Sequence, residues 1–149
     1  MIDVVDSQTR SRMMSGIKGV DTKPEMLVRR ALHARGFRYR LHVKKLPGKP
    51  DLVLPKYKVA IFVNGCFWHR HACRLFKWPS TRSEFWKGKL NRNAERDKDN
   101  IRELRHMGWR ILVIWECELK GRDEELQEEV LEKAENFIIH SAGYEELSG

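Results

Sequence analysis

The chain has 149 residues, 41% of them hydrophobic, and 29 Lys and Arg against 21 Asp and Glu give a net charge of +8. That is enough apolar material for one domain with its own core, and too much for a disordered chain. No apolar run reaches the ~20 residues that cross a bilayer, and the first residues lack the basic-then-apolar pattern of an export signal, so the expectation is a single cytoplasmic domain over residues 1–149.

The charge is unevenly spread. Residues 122–149 hold two basic and nine acidic side chains, so residues 1–121 carry +15. A positive body with an acidic terminal helix fits a binder of phosphate backbones, and fits a merely solvated surface as well. Three cysteines, an odd number without an export signal, argue against a disulfide framework. Metal ligation and plain burial remain.

In chain order, residues 1–20 read as a basic N-terminal arm with a short helix capped by Asp6 or Ser7, in which Met13 and Met14 either cover core or wedge into a partner. Thr22-Lys-Pro-Glu25 matches a capping box, and Leu27, Val28, Ala31 and Leu32 form the stripe of a helix that Gly36 ends. Phe37, Tyr39 and Leu41 then alternate with Arg38, Arg40 and His42, as in a strand with one wet, basic face. Residues 44–50 are a Pro/Gly/Lys loop, residues 51–54 a strand, and residues 55–58 a turn into the next strand at Val59.

That strand ends at Gly65. The loop after it packs Cys66, Phe67, Trp68, His69, His71 and Cys73 into a few positions, a common way to mount a site on a rigid scaffold. Residues 74–82 are irregular. Ser80 or Thr81 is expected to cap a long helix that stops before Gly108, with Leu90, Ala94, Ile101 and Leu104 as its stripe. Asp97 falls on that stripe, where a carboxylate is costly unless it has a partner. Residues 109–115 read as a strand buried on both faces, leading to Glu116-Cys117. An acidic amphipathic helix over 123–140 uses Leu126, Val130, Ala134, Phe137 and Ile138. The order predicts an α/β fold, a mixed central β-sheet flanked by helices.

Two sites follow from the residue types. Cys66, Cys73, Cys117 and one histidine, either His69 or His71, make four ligands of the kind that close a structural zinc site. Lys49-Pro50-Asp51 puts a carboxylate at the start of a strand that turns into a second one, the outline of the restriction-endonuclease-like superfamily. There Asp binds Mg²⁺, which takes oxygen ligands and polarises a phosphoryl oxygen. The superfamily's usual second acid and lysine are absent from residues 59–64.

Five ordered blocks are more specific than either site: Leu46-Pro-Gly-Lys-Pro-Asp51, Asn64-Gly-Cys-Phe-Trp-His-Arg-His-Ala-Cys73, Thr81-Arg-Ser-Glu-Phe-Trp86, Asn93-Ala-Glu-Arg-Asp97 and Gly108-Trp-Arg-Ile-Leu-Val-Ile-Trp-Glu-Cys117. Together they strongly resemble the very-short-patch repair mismatch endonucleases, from about Asp6 to Arg122. The resemblance implies a Mg²⁺-dependent, zinc-stabilised, monomeric enzyme. Such an enzyme nicks double-stranded DNA 5′ of the mispaired T at T:G mismatches left by deamination of 5-methylcytosine.

It further implies a role for each matching residue. Asp51 and the backbone carbonyl of Val63 hold Mg²⁺, His69 is the general base, and Asp97 is its partner. Glu25 orders water at the metal, a role that competes with its capping box. Cys66, His71, Cys73 and Cys117 hold Zn²⁺, which leaves His69 for catalysis. Phe67, Trp68 and Trp86 form an aromatic wedge at the mismatch, where the residues alone equally suggest core, and Met14 is a wedge from the opposite groove. Lys49 and Arg82, with Lys44, Lys45, Arg70, Arg74, Lys77, Lys87 and Lys89, hold phosphates. One departure stands out: Asn64 occupies a position where the family often has histidine, and an amide cannot deliver a proton at neutral pH. The rival readings are an endonuclease of the same fold that cuts matched recognition sites, and a non-catalytic mismatch- or structure-binding module. Accessory repair partners are not legible.

Overall fold

Alternating side chains on two neighbouring strands lay out the molecule. The computed structural model describes residues 22–147, so the N-terminal arm, its helix and Met14 lie outside the described residues. The strands are β1 (Arg40–Leu41), β2 (Leu52–Leu54), β3 (Val59–Asn64), β4 (Arg110–Trp115) and β5 (Tyr144–Leu147), and they form one sheet in that order. The first two pairings are antiparallel and the last two parallel. Three helices accompany them among the described residues: α1 (Lys23–Ala34), α2 (Ser83–His106) and α3 (Glu124–His140).

Because successive strand residues face opposite ways, Val59, Ile61, Val63, Leu112 and Ile114 enter one core with Val28 and Leu32 of α1 and Val130, Ala134, Phe137 and Ile138 of α3. Ile111, Val113 and Trp115 enter the other, with Leu104 of α2, Cys66 and Cys117. The mixed sheet flanked by helices is thus observed. Every fully buried Leu or Ile here contributes about 1.5–3 kcal/mol relative to exposure, which holds α1 and α3 on one face of the sheet and α2 on the other. No helix among the described residues is long and apolar enough to cross a membrane.

Several expectations need correction. The strand expected over residues 37–42 shrinks to Arg40–Leu41, Leu41 is exposed, and His42 has a left-handed backbone (φ 49°) that turns it out of the alternation. Helix α2 is preceded not by a Ser80 or Thr81 cap but by Arg82, itself left-handed at φ 53°, with no side-chain cap. Leu126 lies on the exposed side of α3. Strand β5 was not expected at all: its Tyr-Glu-Glu-Leu has little apolar pattern, and parallel pairing with the buried β4 is what orders it. The other boundaries agree closely. Thr22 caps α1 by accepting from the Glu25 N–H at 3.4 Å, and Asp123 caps α3 by accepting from the Leu126 N–H at 2.9 Å.

Candidate functional site

Strands β3 and β4 are parallel, so their carboxyl ends open on the same side of the sheet, and antiparallel β2 brings Asp51 to that end. The loop before Asp51 is held by close packing. Gly48 has φ +76°, and a Cβ there would meet Asn100 and Phe62 side-chain atoms at 3.0–3.1 Å. Only glycine meets both demands. The result is a cleft of about 650 Å³ lined by Glu25, Lys49, Asp51, Val63, Asn64, Phe67, Trp68, His69, Trp86 and Asp97, among others.

Asp51 Oδ2 accepts the Val63 N–H at 2.8 Å. Burial is the main reason its proton affinity is high: the carboxyl is pushed up to about 6, the Glu25 charge adds to this, and the Val63 N–H, His42 and His69 oppose it. His69 Nδ1 lies 2.6 Å from Asp97 Oδ2. An imidazole so placed donates its Nδ1–H to the carboxylate and leaves Nε2 as the basic nitrogen. This pair explains why a carboxylate sits on the apolar stripe of α2. Asp51, His69 and Asp97 therefore face one cleft.

Glu25, of which the side chain is only 2% exposed, turns into the same cleft. Its Oε2 lies 3.1 Å from Arg29 Nη1 and 3.2 Å from His42 Nε2. Thr22 thus supplies the helix cap, and the Glu25 carboxylate meets Arg29 and His42. His42 was missed in the sequence because it was taken for a residue on the wet face of a strand. Its place two residues before the Lys-rich loop was the available signal.

The second cluster lies under the same loop. One donor atom from each of Cys66, His71, Cys73 and Cys117 falls within 4.8 Å of the others, and no cysteine is in a disulfide. His71 Nδ1 stands 3.6 Å from Cys117 Sγ. From bonds of about 2.0 Å to nitrogen and 2.3 Å to sulfur, these ligands on a tetrahedral zinc would stand roughly 3.6 Å apart. The donors therefore fit such an ion. Burial pushes the Cys66 thiol pKa up and lowers that of His71, so a cation would supply the charge that makes a thiolate favourable here.

Neighbours that the sequence did not reveal brace this cluster. Glu116 Oε1 accepts the Cys66 N–H at 3.2 Å. The Trp115 indole stacks on His71, with centroids 4.1 Å apart and planes 7° from parallel, and meets His69 edge-on at 6.1 Å. Glu146 of β5 in turn accepts the Trp115 Nε1–H at 2.8 Å. One ring thus touches both histidines. Arg74, one of the expected phosphate contacts, donates to the Cys117 carbonyl at 3.0 Å, so its guanidinium also closes the turn.

Phe67, Trp68 and Trp86 form a mutual cluster with centroids 5.1–5.8 Å apart at the cleft. Asn93 holds the loop by donating to the Trp68 carbonyl at 3.1 Å. Arg82 lies over the exposed Phe85 ring at 4.4 Å, and Lys49 lines the cleft wall. The amide-bearing Asn64 is buried beside them.

Comparison with known proteins bears on this arrangement. The family model for the DNA mismatch endonuclease Vsr matches residues 2–75. The protein called DNA mismatch endonuclease Vsr in Escherichia coli is 44% identical over 93% of this chain and 88% of its own length. A Type II nicking enzyme of Neisseria meningitidis serogroup A, V.NmeAIP, is 45% identical over 82% of this chain and 87% of its own. Another, V.XorIIP of Xanthomonas oryzae pv. oryzae, is 42% identical over 80% and 88% respectively.

Proposed function

The chain belongs to the DNA mismatch endonuclease Vsr family, and we propose that it nicks one strand of double-stranded DNA 5′ of the mispaired thymine at T:G mismatches left by deamination of 5-methylcytosine. We take it to act as a monomer in the cytoplasm, with Mg²⁺ in the cleft and Zn²⁺ in the thiol cluster, on a sheet of restriction-endonuclease type. One observation carries the reading. A carboxylate, an imidazole–carboxylate pair and a cluster of large rings converge on a single cleft.

In this mechanism Asp51 and the carbonyl of Val63 would hold the cation. A strand residue sends its N–H and C=O to the same edge, and the Val63 N–H meets Asp51, so that carbonyl belongs to the same edge. A Mg²⁺ ion held there would supply charge to stabilise a phosphoryl oxygen. His69 Nε2 takes a proton from the attacking water, and Asp97 fixes the tautomer and steadies the imidazolium that forms. Asn64 orders water by hydrogen bonding and delivers no proton. Phe67, Trp68 and Trp86 enter beside the mismatch, where unstacking costs least, while Lys49 and Arg82 hold phosphates.

A panel of labelled duplexes, each mismatch set against the matched sequence, tests this. Nicking confined to T:G is expected. Equal cleavage of matched duplexes would make the protein a nicking enzyme for intact sites, and tight binding without a nick in Mg²⁺ or Mn²⁺ would make it a binding module.

A further inference from the structure

His42 stands between the Glu25 and Asp51 carboxylates, and no step of the hydrolysis above uses it. Its Nε2 is 3.2 Å from Glu25 Oε2, and its Nδ1 is 3.9 Å from Asp51 Oδ1. We propose that His42 is a nitrogen ligand of the cleft's divalent cation, oriented by Glu25, and that this donor makes the site favour first-row transition ions such as Mn²⁺ over Mg²⁺. The inference rests on the proposed function in taking Asp51 as an oxygen ligand of the same cation.

The geometry supports it in three ways. Asp51 Oδ2 is held by the Val63 N–H, so Oδ1 is the oxygen turned to the ring. With Nε2–H donating to Glu25, Nδ1 carries the ring's lone pair on the Asp51 side. Metal-ligating histidines almost always give their other N–H to a carboxylate, a backbone carbonyl or water, and Glu25 is placed to be that acceptor here. The two atoms stand 3.9 Å apart, and bonds of about 2.1 Å place cis donors roughly 3.0 Å apart, so an approach of about 1 Å closes them on one ion. Donor atoms of Glu25, His42 and Asp51 all fall within 4.8 Å of one another.

The backbone is arranged to keep the ring there. His42 adopts φ 49°, a conformation that costs a non-glycine residue energy and persists where surroundings enforce it. Its N–H donates to the Asp51 carbonyl at 3.0 Å, which ties the two proposed ligands together through the main chain. The chemistry then sets the ion. Mg²⁺ wants oxygen in a near-ideal octahedron, whereas transition ions accept imidazole readily. Glu25, on this assignment, is a positioning residue that acts through His42.

Mn²⁺ binding to the zinc-loaded full chain without DNA, followed by pulsed electron paramagnetic resonance, tests the proposal. Nitrogen-14 modulation is expected in the native protein and in His69→Ala, and should vanish in His42→Gln. Mn²⁺ affinity in His42→Gln should fall about tenfold or more, with a smaller loss for Mg²⁺ measured by competition. Absence of modulation in the native protein, its loss in His69→Ala, its survival in His42→Gln, or equal affinity for the two ions would overturn it. The first and second of these hold even if His42→Gln does not fold. Asp51→Asn separates the two levels: if Mn²⁺ binding survives that change, the assignment of the cleft itself fails, whatever His42 does.

Discussion

Cys66, His71, Cys73 and Cys117 form a closed cluster of soft donors, whereas Glu25 and Asp51, with His42 packed against them, offer mostly oxygen donors to an open cleft. One loop serves both. Cys66, His71 and Cys73 turn towards the thiol cluster, while Phe67, Trp68 and His69 line the cleft. The difference teaches a division of labour: four ligands close around an ion and leave no position for substrate, which suits a strut, whereas a few ligands at a cleft wall leave room for water and phosphate. Trp115 sits against a histidine of each, so the thiol cluster and the cleft share a wall.

The largest effect expected from this division is on the rate. Asp51→Asn and His69→Ala should each lower nicking by roughly 10²–10⁴-fold or more, with zinc content unchanged by metal analysis. Asp51→Asn should also stabilise the metal-free protein at pH 7. The folded carboxyl titrates at about 6 against 3.8 when unperturbed, so the stability it lends is present below the lower value and lost as pH rises through the upper one. A thermal melt that falls with Asp51→Asn would break the separation of the two regions.

Next comes the strut. Cys117→Ser should release the zinc and lower the melting temperature by roughly 10 °C, since metal binding is folding free energy, and nicking should fall with it because the loop carries His69. A zinc-free variant that stays folded and active would remove the cluster's structural role. Acid should affect the cleft in a third way. Below about pH 6 the proton competes for Asp51, and apparent Mg²⁺ affinity by calorimetry should drop towards tenfold per pH unit. A flat response from pH 7 to 5 would mean that Asp51 does not ligate the ion. The smallest change expected is at Arg82. Arg82→Gly relieves φ 53° and should raise stability by up to about 1 kcal/mol, while the salt slope of DNA binding becomes shallower by about one.

Much of this molecule was legible in the chain because periodicity reports burial. The stripes of α1 and α3, the run of β4 and the cap at Thr22 all follow from it, and Asp97 was marked by being polar where its helix is apolar. The residues that escaped are those whose partners are distant. His42 leaves the strand pattern through a left-handed turn and meets Glu25 across the fold, and Glu146 has meaning only once β5 lies beside Trp115. Arg82 at the helix N-cap was illegible for a different reason, since Ser80 and Thr81 offer better capping chemistry and Arg82 makes no side-chain cap. The thiol cluster was foreseen as a set; residue types alone left His69 and His71 open, the resemblance chose His71, and the Asp97 contact on His69 agrees with that choice.

The end of the sheet remote from the cleft carries none of these groups. There the turn at residues 55–58 links β2 to β3, Lys58 rests on the Trp109 ring at 4.5 Å, and Gly108 brings the chain into β4. Parallel β3 and β4 keep that margin a full strand length from the chemistry. A fluorophore or surface tether attached at the exposed Lys56 would therefore leave the DNA-facing side unobstructed, which makes this turn the natural handle for watching single molecules at work.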